Sequence, residues 1–517
     1  MLVRRQARTR PAMATTQLPA PTRGLNLRDG IASLKPDEAL ILNNWFPREG
    51  YCQLRGGHSS YATGLGSTVQ SILEWSGPAT RKMFGATASA IYNTTSSGAV
   101  GAADLSSLTS GYWQSVNFTT AGGAFLVICN GADSVRNYDG TSWTTPSITG
   151  VTSADLINVA SHKSRLWFVQ KDSTKAWYLG TSSISGAATS FELGERFTLG
   201  GALRAIGSIS TDAGDAGSDD YLAFVSSKGE VVVYRGTDPS SANTWALVGV
   251  YRSAPPIGHR CLAKIGGDLG LLTEGGIVSV RQLIAGGRDV AERGAVTARI
   301  DKAIADAFTS YGSVTGWQMI VHPRTRQAIF NVPTSTTEAY QYAMNVKTGA
   351  WCTYTSLNAT CWGTLNESLY FGSSAGTVWK AEDGSADNGA AITGEIKYSF
   401  QPFGARGGVS RITQVRPLFT ASGRVVPAVR VDIDYQNTTP TSSDEYPVTS
   451  GTLGSAWDVG LWDVATWGDN SQLFGDWVAA QGIGTVASVH LVTRTLGIEA
   501  KLNAVDVQYE RAGTLGL

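Results

Sequence analysis

The chain has 517 residues, enough for roughly two to four domains with sizeable cores. Its 41 Lys+Arg balance 41 Asp+Glu, which excludes a broad polyelectrolyte face of the kind that wraps nucleic acid. Only 16% of residues are charged, while Gly numbers 60, Tyr 18 and Trp 15, a composition of an all-β protein with many turns rather than of a helical enzyme. The five cysteines, Cys52, Cys129, Cys261, Cys352 and Cys361, form no CxxC and no disulfide-framework spacing. They are expected as free, mostly buried thiols of a protein made in a reducing cytoplasm. No stretch approaches about 18 apolar residues, so no membrane span is expected.

The chain opens "MLVRRQARTRPAMATTQLPAPTRG", with five Arg and no acid before Asp29. It lacks the apolar core of a secretion signal. Residues 1–23 are expected to be a basic arm, either disordered until an assembly orders it or touching nucleic acid or an acidic neighbour. The next segment, 24–69, contains "GLNLRDGIASLKPDEALILNNWFPREGYCQLRGG". Pro36 with Asp37 and Glu38 predicts one turn of helix. Ala39 to Leu42 form an apolar patch, Asn43 and Asn44 stop it, and Trp45-Phe46-Pro47 reads as an aromatic anchor followed by a turn. "YCQLRGG" is then an extended strand.

From 70 to 388 one pattern recurs: two short apolar runs joined by Gly, Ser, Asn or Asp. It occurs at 81–98, 125–143, 164–180, 220–236, 269–280, 327–354 and 367–384. The last, "ESLYFGSSAGTVWKAEDG", turns at Gly376 and again at Asp383-Gly384, as a β-hairpin requires. No strand–loop–helix frame follows it, so its glycines are turn residues and not a phosphate loop. Repeated hairpins of this kind predict a β-propeller of six or seven irregular blades; a large β-sandwich is the alternative. Within this region "GAVTARIDKAIADAFTS" (294–310) places Val296, Ile300, Ile304 and Phe308 on one face of an amphipathic helix. Thr297 or Asp301 is its expected cap, and an open blade edge or a neighbouring subunit its expected partner. Residues 389–517 carry five longer strands around "SAWDVGLWDVATWGDNSQLFGDWVAA" (455–480), and predict a separate antiparallel β-sandwich with a Trp-rich loop.

Chemistry is sparse. His58, His162, His259, His322 and His490 are scattered, with no metal-ligand spacing. There is no GxSxG, no P-loop and no dinucleotide fingerprint. The pairs Asp219-Asp220, Asp432 with Asp434, and Asp444-Glu445 read as solvated turn residues. "TDAGDAGSDD" (211–220) lacks the final glutamate of a calcium loop. "NYDGTSW" (137–143) differs from the Asp-box of sialidase-like propellers, because Asp and Gly are adjacent; it reads as a turn ending in a packed Trp. No catalytic residue, cofactor or metal is assigned.

The segment 24–57 resembles the opening of a set of structural proteins of short-tailed bacteriophages, through Gly24, Leu25, Asn26, Arg28, Asp29, Pro36, Asp37, Asn44, Trp45, Phe46, Pro47, Gly50 and Tyr51. The C-terminal pattern is similar to the same group at Trp457-Asp458, Trp462-Asp463, Trp467-Gly468 and Tyr509-Glu510 to Gly513. The likeness covers about a third of the chain. It implies a virion tail nozzle or tail tubular protein, not an enzyme. Such a protein assembles as a homo-oligomeric ring, commonly a hexamer, below the portal and adaptor proteins and beside tail fibres or spikes, and double-stranded DNA passes through the lumen without sequence-specific binding. Asn44, Trp45, Phe46, Pro47, Trp457, Trp462 and Trp467 are the expected assembly-interface residues. The alternative function is a peripheral receptor- or carbohydrate-binding propeller whose Trp-rich loop stacks on sugars; a hydrolase on a propeller is a third.

Overall fold

A computed structural model describes residues 13–212, 218–293, 295–322, 324–404, 407–436, 448–450 and 471–511. These residues are almost entirely β, with two helices, and divide into two compact units. One unit comprises Ser59–Lys347 and Thr355–Ala381. The other joins Met1–His58, Thr348–Tyr354 and Glu382–Leu517.

In the first unit all seven expected hairpins form as antiparallel strand pairs, each in a different sheet. The first strands of the seven sheets are Ser71–Ser76, Gln114–Thr120, Leu156–His162, Leu203–Asp212, Leu262–Ile265, Gln318–His322 and Cys361–Leu365. Each sheet packs on the next in chain order, and the seventh packs on the first. The seventh is completed by His58–Thr63, which pairs with Val378–Ala381. The two ends of the repeat thus share one sheet, and the order is that of a closed β-propeller.

The reason lies in the strands. "FLVIC" is apolar at every position because both of its faces are covered. Leu126 and Ile128 pack towards the first sheet with Leu73, Trp75 and Phe84. The alternate residues Val127 and Cys129 pack towards the third with Leu156, Leu166 and Phe168. Trp167 and Val169 in turn face the fourth sheet, with Phe224, Val232 and Trp245. Ala62, Leu365 and Tyr370 of the seventh sheet meet Ile72 and Met83 of the first. Each core lies between sheets rather than inside one. Gly376 has φ of 73°, the left-handed conformation that its hairpin turn needs.

The helix expected over 294–310 forms later, as α2 (Asp301–Tyr311), with Ile300 as its N-cap residue. The delay has a local cause. Thr297 is fully buried and its hydroxyl accepts the Ile277 N–H at 3.0 Å, which holds 296–300 in turns. Ile300, Ile304 and Ala307 make the buried face, which packs on Gly276–Ser279 and Gln327–Pro333. A helix that the periodicity did not signal, α1 (Val280–Arg293), precedes it and kinks at Gly287. Its Gly-Gly step masks the apolar pattern.

The second unit has two sheets. In the first, the order is Trp45–Pro47, Cys52–Leu54, Ala500–Arg511, Ser410–Ala421, Gln472–Phe474, with Met13–Pro19 also on Ala500–Arg511 and Val478–Gly484 also on Ser410–Ala421. Within this unit the second sheet runs Trp351–Tyr354, Ala39–Asn43, Ile392–Tyr398, Ala487–Leu496, Ala428–Ile433. All five long C-terminal strands expected from the sequence are present. The segment 36–42 departs from its expected helical turn. Pro36-Asp37 is a turn and Ala39–Asn43 is a strand, because Ala39, Leu42 and Asn43 pair with Tyr398, Ile396 and Glu395. Glu38 closes that turn instead of starting a helix, its carboxylate accepting the Lys35 N–H at 3.0 Å.

Two measurements test these packing relations. A Cβ on Gly394 would lie 2.3 Å from Trp45 Nε1 and 2.8 Å from Leu54 Cδ1. Gly394→Ala is therefore expected to cost about 1–3 kcal/mol in chemical denaturation, as overpacking does; an unchanged midpoint refutes this packing. All five thiols are buried and free, and burial raises each pKa, to about 12 for Cys261 and about 11 for Cys361. No thiol should react with a maleimide in the native chain at neutral pH, and all should react in denaturant.

Candidate functional site

The residues singled out at the N-terminus meet at one junction in the sandwich unit. The strand Ala39–Asn43 ends at Asn44, whose φ of 61° turns the chain into Trp45–Pro47. Asn is among the few side chains that tolerate this left-handed conformation, so the Asn-Trp step is a strand switch. The Asn44 N–H donates to Thr353 O at 2.7 Å and its Nδ2 to Thr393 O at 2.7 Å. Trp45 and Phe46 follow into the core, each 1% exposed. Trp45 stacks on Phe419 with centroids 5.9 Å apart, and Phe46 tilts on Tyr354 at 6.4 Å. Pro47 is buried as well.

This burial corrects the expectation that the aromatic pair is offered to a partner. Trp45 and Phe46 are spent on the unit's own core, so they shape an interface only through the fold they hold. Trp457, Trp462 and Trp467 lie outside the described residues. Trp477, at the end of the same Trp-rich stretch, is 39% exposed, with the Arg416 guanidinium 4.8 Å from its ring centroid.

The sequence reading did not single out Arg55. Its side chain is 0% exposed and forms a bidentate pair with Asp387, Nη1–Oδ1 at 2.7 Å and Nη2–Oδ2 at 2.6 Å. Its Nε donates to Asn44 Oδ1 at 2.8 Å and its Nη1 to Gly56 O at 2.9 Å. His58 Nδ1 lies 3.1 Å from Asp387 Oδ1. Arg55 therefore ties the strand switch at Asn44 to a turn more than 300 residues away. The only sequence signal was an arginine at an otherwise apolar end of a strand, "QLRGG". A second acid, Glu382, accepts the Gly56 N–H at 3.1 Å. The two carboxylates are driven apart. Burial raises both, but hydrogen bonds from Arg55 and His58 outweigh it at Asp387, which falls below the usual range. At Glu382 burial prevails and the value rises.

The remaining candidates are structural. His162 packs edge-on to Trp245 and is held near pKa 4 by burial. His322 contacts Thr325 and the Glu367 carbonyl, and His490 lies 2.8 Å from Glu395. His259 borders a cavity. Asp220 pairs with Lys163 at 2.6 Å, and Asp432 with the buried Lys397 at 2.6 Å. Asp434 accepts the Thr485 N–H at 2.8 Å. Asp139 accepts the Thr141 and Ser142 N–H groups, and Trp143 packs on Tyr138 and Phe84, so "NYDGTSW" is a turn with a packed Trp. Asp444, Glu445 and residues 213–217 of the Asp-rich loop lie outside the described residues. Among the described residues no three His, Cys, Asp or Glu side chains converge as a metal site would need, and no helix is long and apolar enough to cross a membrane.

No protein-family model matches the chain, and no curated protein matches it. Three solved structures illustrate its likenesses. BBS1N in complex with ARL6DN is 8% identical, covers 63% of this chain and 97% of its own, and has a TM-score of 0.38. The computationally designed Ika8 protein is 10% identical, with 62% and 99% covered and a TM-score of 0.36. The exo-beta-1,3-galactanase from Phanerochaete chrysosporium is 11% identical, with 76% and 95% covered and a TM-score of 0.26. Likenesses this low carry no functional argument; the fold assignment rests on the sheet order.

Removing Arg55 takes the bidentate partner from a buried Asp387 and leaves it only His58. Arg55→Met is expected to cost about 3–5 kcal/mol, whereas Arg424→Ala, at an ion pair exposed on both sides, should cost at most about 1 kcal/mol. Because the folded Asp387 titrates below its unfolded value of about 3.9, its contribution is present above that pH and is lost as the pH falls through the folded value. Denaturation curves at pH 7 and in steps below pH 4 check both points: the wild type should lose this component in acid, and Arg55→Met should lack it.

Proposed function

We propose that this chain is a structural subunit of a short-tailed phage virion, a tail nozzle protein. In this proposal copies assemble as a homo-oligomeric ring, six in number, below the portal and adaptor. The ring extends the DNA exit channel and gates genome release without bond chemistry.

One observation carries the proposal. The two segments that resemble such proteins lie at opposite ends of the sequence, yet they build one unit. Cys52, of the first segment, pairs with Leu502 of the strand Ala500–Arg511, which also carries Tyr509 and Glu510 of the second; Trp457, Trp462 and Trp467 lie outside the described residues. A chain with formal net charge zero also suits a conduit that passes DNA without retaining it.

Near-atomic imaging of purified virions tests the proposal. The expected outcome is density for this chain in a coaxial ring on the tail axis. A position at the tail's periphery favours a receptor- or carbohydrate-binding propeller instead, and absence from the particle overturns the structural role.

A further inference from the structure

Within the propeller unit, a cavity of about 400 Å³ opens where the first strands of several sheets begin. Its wall includes Tyr112 and Gln114 before and in the second sheet, Ile157 in the third, His259 and Arg260 before the fifth, and Trp317 before the sixth. The volume lies in the range of small-molecule sites, and the mixture of aromatic, apolar and a few polar groups is typical of them. The Tyr112 hydroxyl, 2.7 Å from Thr315 Oγ1, separates this space from a smaller neighbouring one of about 140 Å³.

Arg260 is the unusual member. Its guanidinium reaches the strand starts of the first, second and sixth sheets. Nη2 donates to Gln70 O at 2.9 Å, Ser71 Oγ and Trp113 O at 3.3 Å, and Nη1 makes one long contact, 3.4 Å, to Gln318 Oε1. Every one of these acceptors is neutral. Arg55, which is fully buried, has a bidentate carboxylate; Arg260, which is half-buried, has none among the described residues, and no hydrogen bond is made at its Nε. Arg204, at the start of the fourth sheet, adds a second cation near His259, and its buried Nε also lacks a hydrogen-bond partner. A half-buried cation without a counter-charge favours an anionic partner, and guanidinium groups recognise oxyanions through paired N–H donors.

We propose that this cavity binds a small ligand carrying a carboxylate or phosphate, with the oxyanion on Arg260 and a body of about monosaccharide size against Tyr112, Ile157 and Trp317. The Nη2 edge of Arg260 is anchored in the wall, which leaves Nε and part of Nη1 for the ligand. The anchoring also fixes the guanidinium before binding, so little rotamer entropy is lost when the ligand arrives.

Isothermal titration calorimetry of the full-length chain with inorganic phosphate, glucuronate and glucose tests the proposal. Saturable binding is expected for phosphate, for glucuronate or for both, and the pattern distinguishes a phosphate from a carboxylate source. Glucose, which lacks the charge, should bind at least about tenfold more weakly than glucuronate. Arg260→Gln should abolish anion binding. Because Arg260 also ties strand starts together, a second variant is needed: Ser313→Trp, on the exposed rim, fills the mouth and should block binding with an unchanged melting profile. No binding of either anion to a chain that melts as the wild type does, equal binding of glucose and glucuronate, or anion binding that survives Ser313→Trp would each overturn the proposal.

Discussion

The structure depends on one constraint: a sheet of three or four short strands that is apolar on both faces has no stable existence alone. Alternate residues of "FLVIC" point to opposite sides, and each side must be covered. The propeller unit meets this by stacking each sheet between two others. Such a stack leaves two bare faces unless it closes on itself. The pairing of His58–Thr63 with Val378–Ala381 and the packing of the seventh sheet on the first provide that closure. Positions that are distant in sequence thereby become the most interdependent.

The sandwich unit solves a different problem. Its long strand Ser410–Ala421 alternates between buried and less buried residues, whereas Ala487–Thr493 is buried on both faces. Its particular feature is that N-terminal strands complete sheets made mostly of C-terminal ones. The left-handed Asn44 lets neighbouring residues serve both sheets, since Ala39–Asn43 lies in one and Trp45–Pro47 in the other. Arg55 then fixes that switch to Asp387 through charge, in a place where apolar packing alone would not select one register.

The two units hold an arginine in contrasting ways. Arg55 is paired with a carboxylate of its own chain, and burial raises the pKa of the neighbouring Glu382 while hydrogen bonds lower that of Asp387. Arg260 is solvated only by amide and hydroxyl oxygens and keeps its charge at the edge of a cavity. The first arrangement is complete without a ligand. The second is complete in hydrogen bonds on one edge of the guanidinium but not in charge, which is why a ligand is assigned to it.

The sequence by itself determined the class of fold, the seven hairpins, the five long C-terminal strands and the burial of the free cysteines. These follow from local rules: turn residues between short apolar runs, and a period of two along a strand. Helix α1 escaped because Gly-Gly interrupts its pattern, and α2 began late because Thr297 is held by Ile277. The strand at Ala39–Asn43 looked like the sequel to a helical turn because its partners lie more than 300 residues away. A similar separation hid Asp387 from Arg55, and shorter but still non-local separations hid Gln70, Trp113 and Gln318 from Arg260. Tertiary structure alone decided that the Trp45-Phe46 pair is core, that the buried Arg55 has a counter-charge and that the half-buried Arg260 has no carboxylate partner among the described residues. Local propensity acts over a few residues, whereas burial and charge pairing are settled only by what the closed fold brings together.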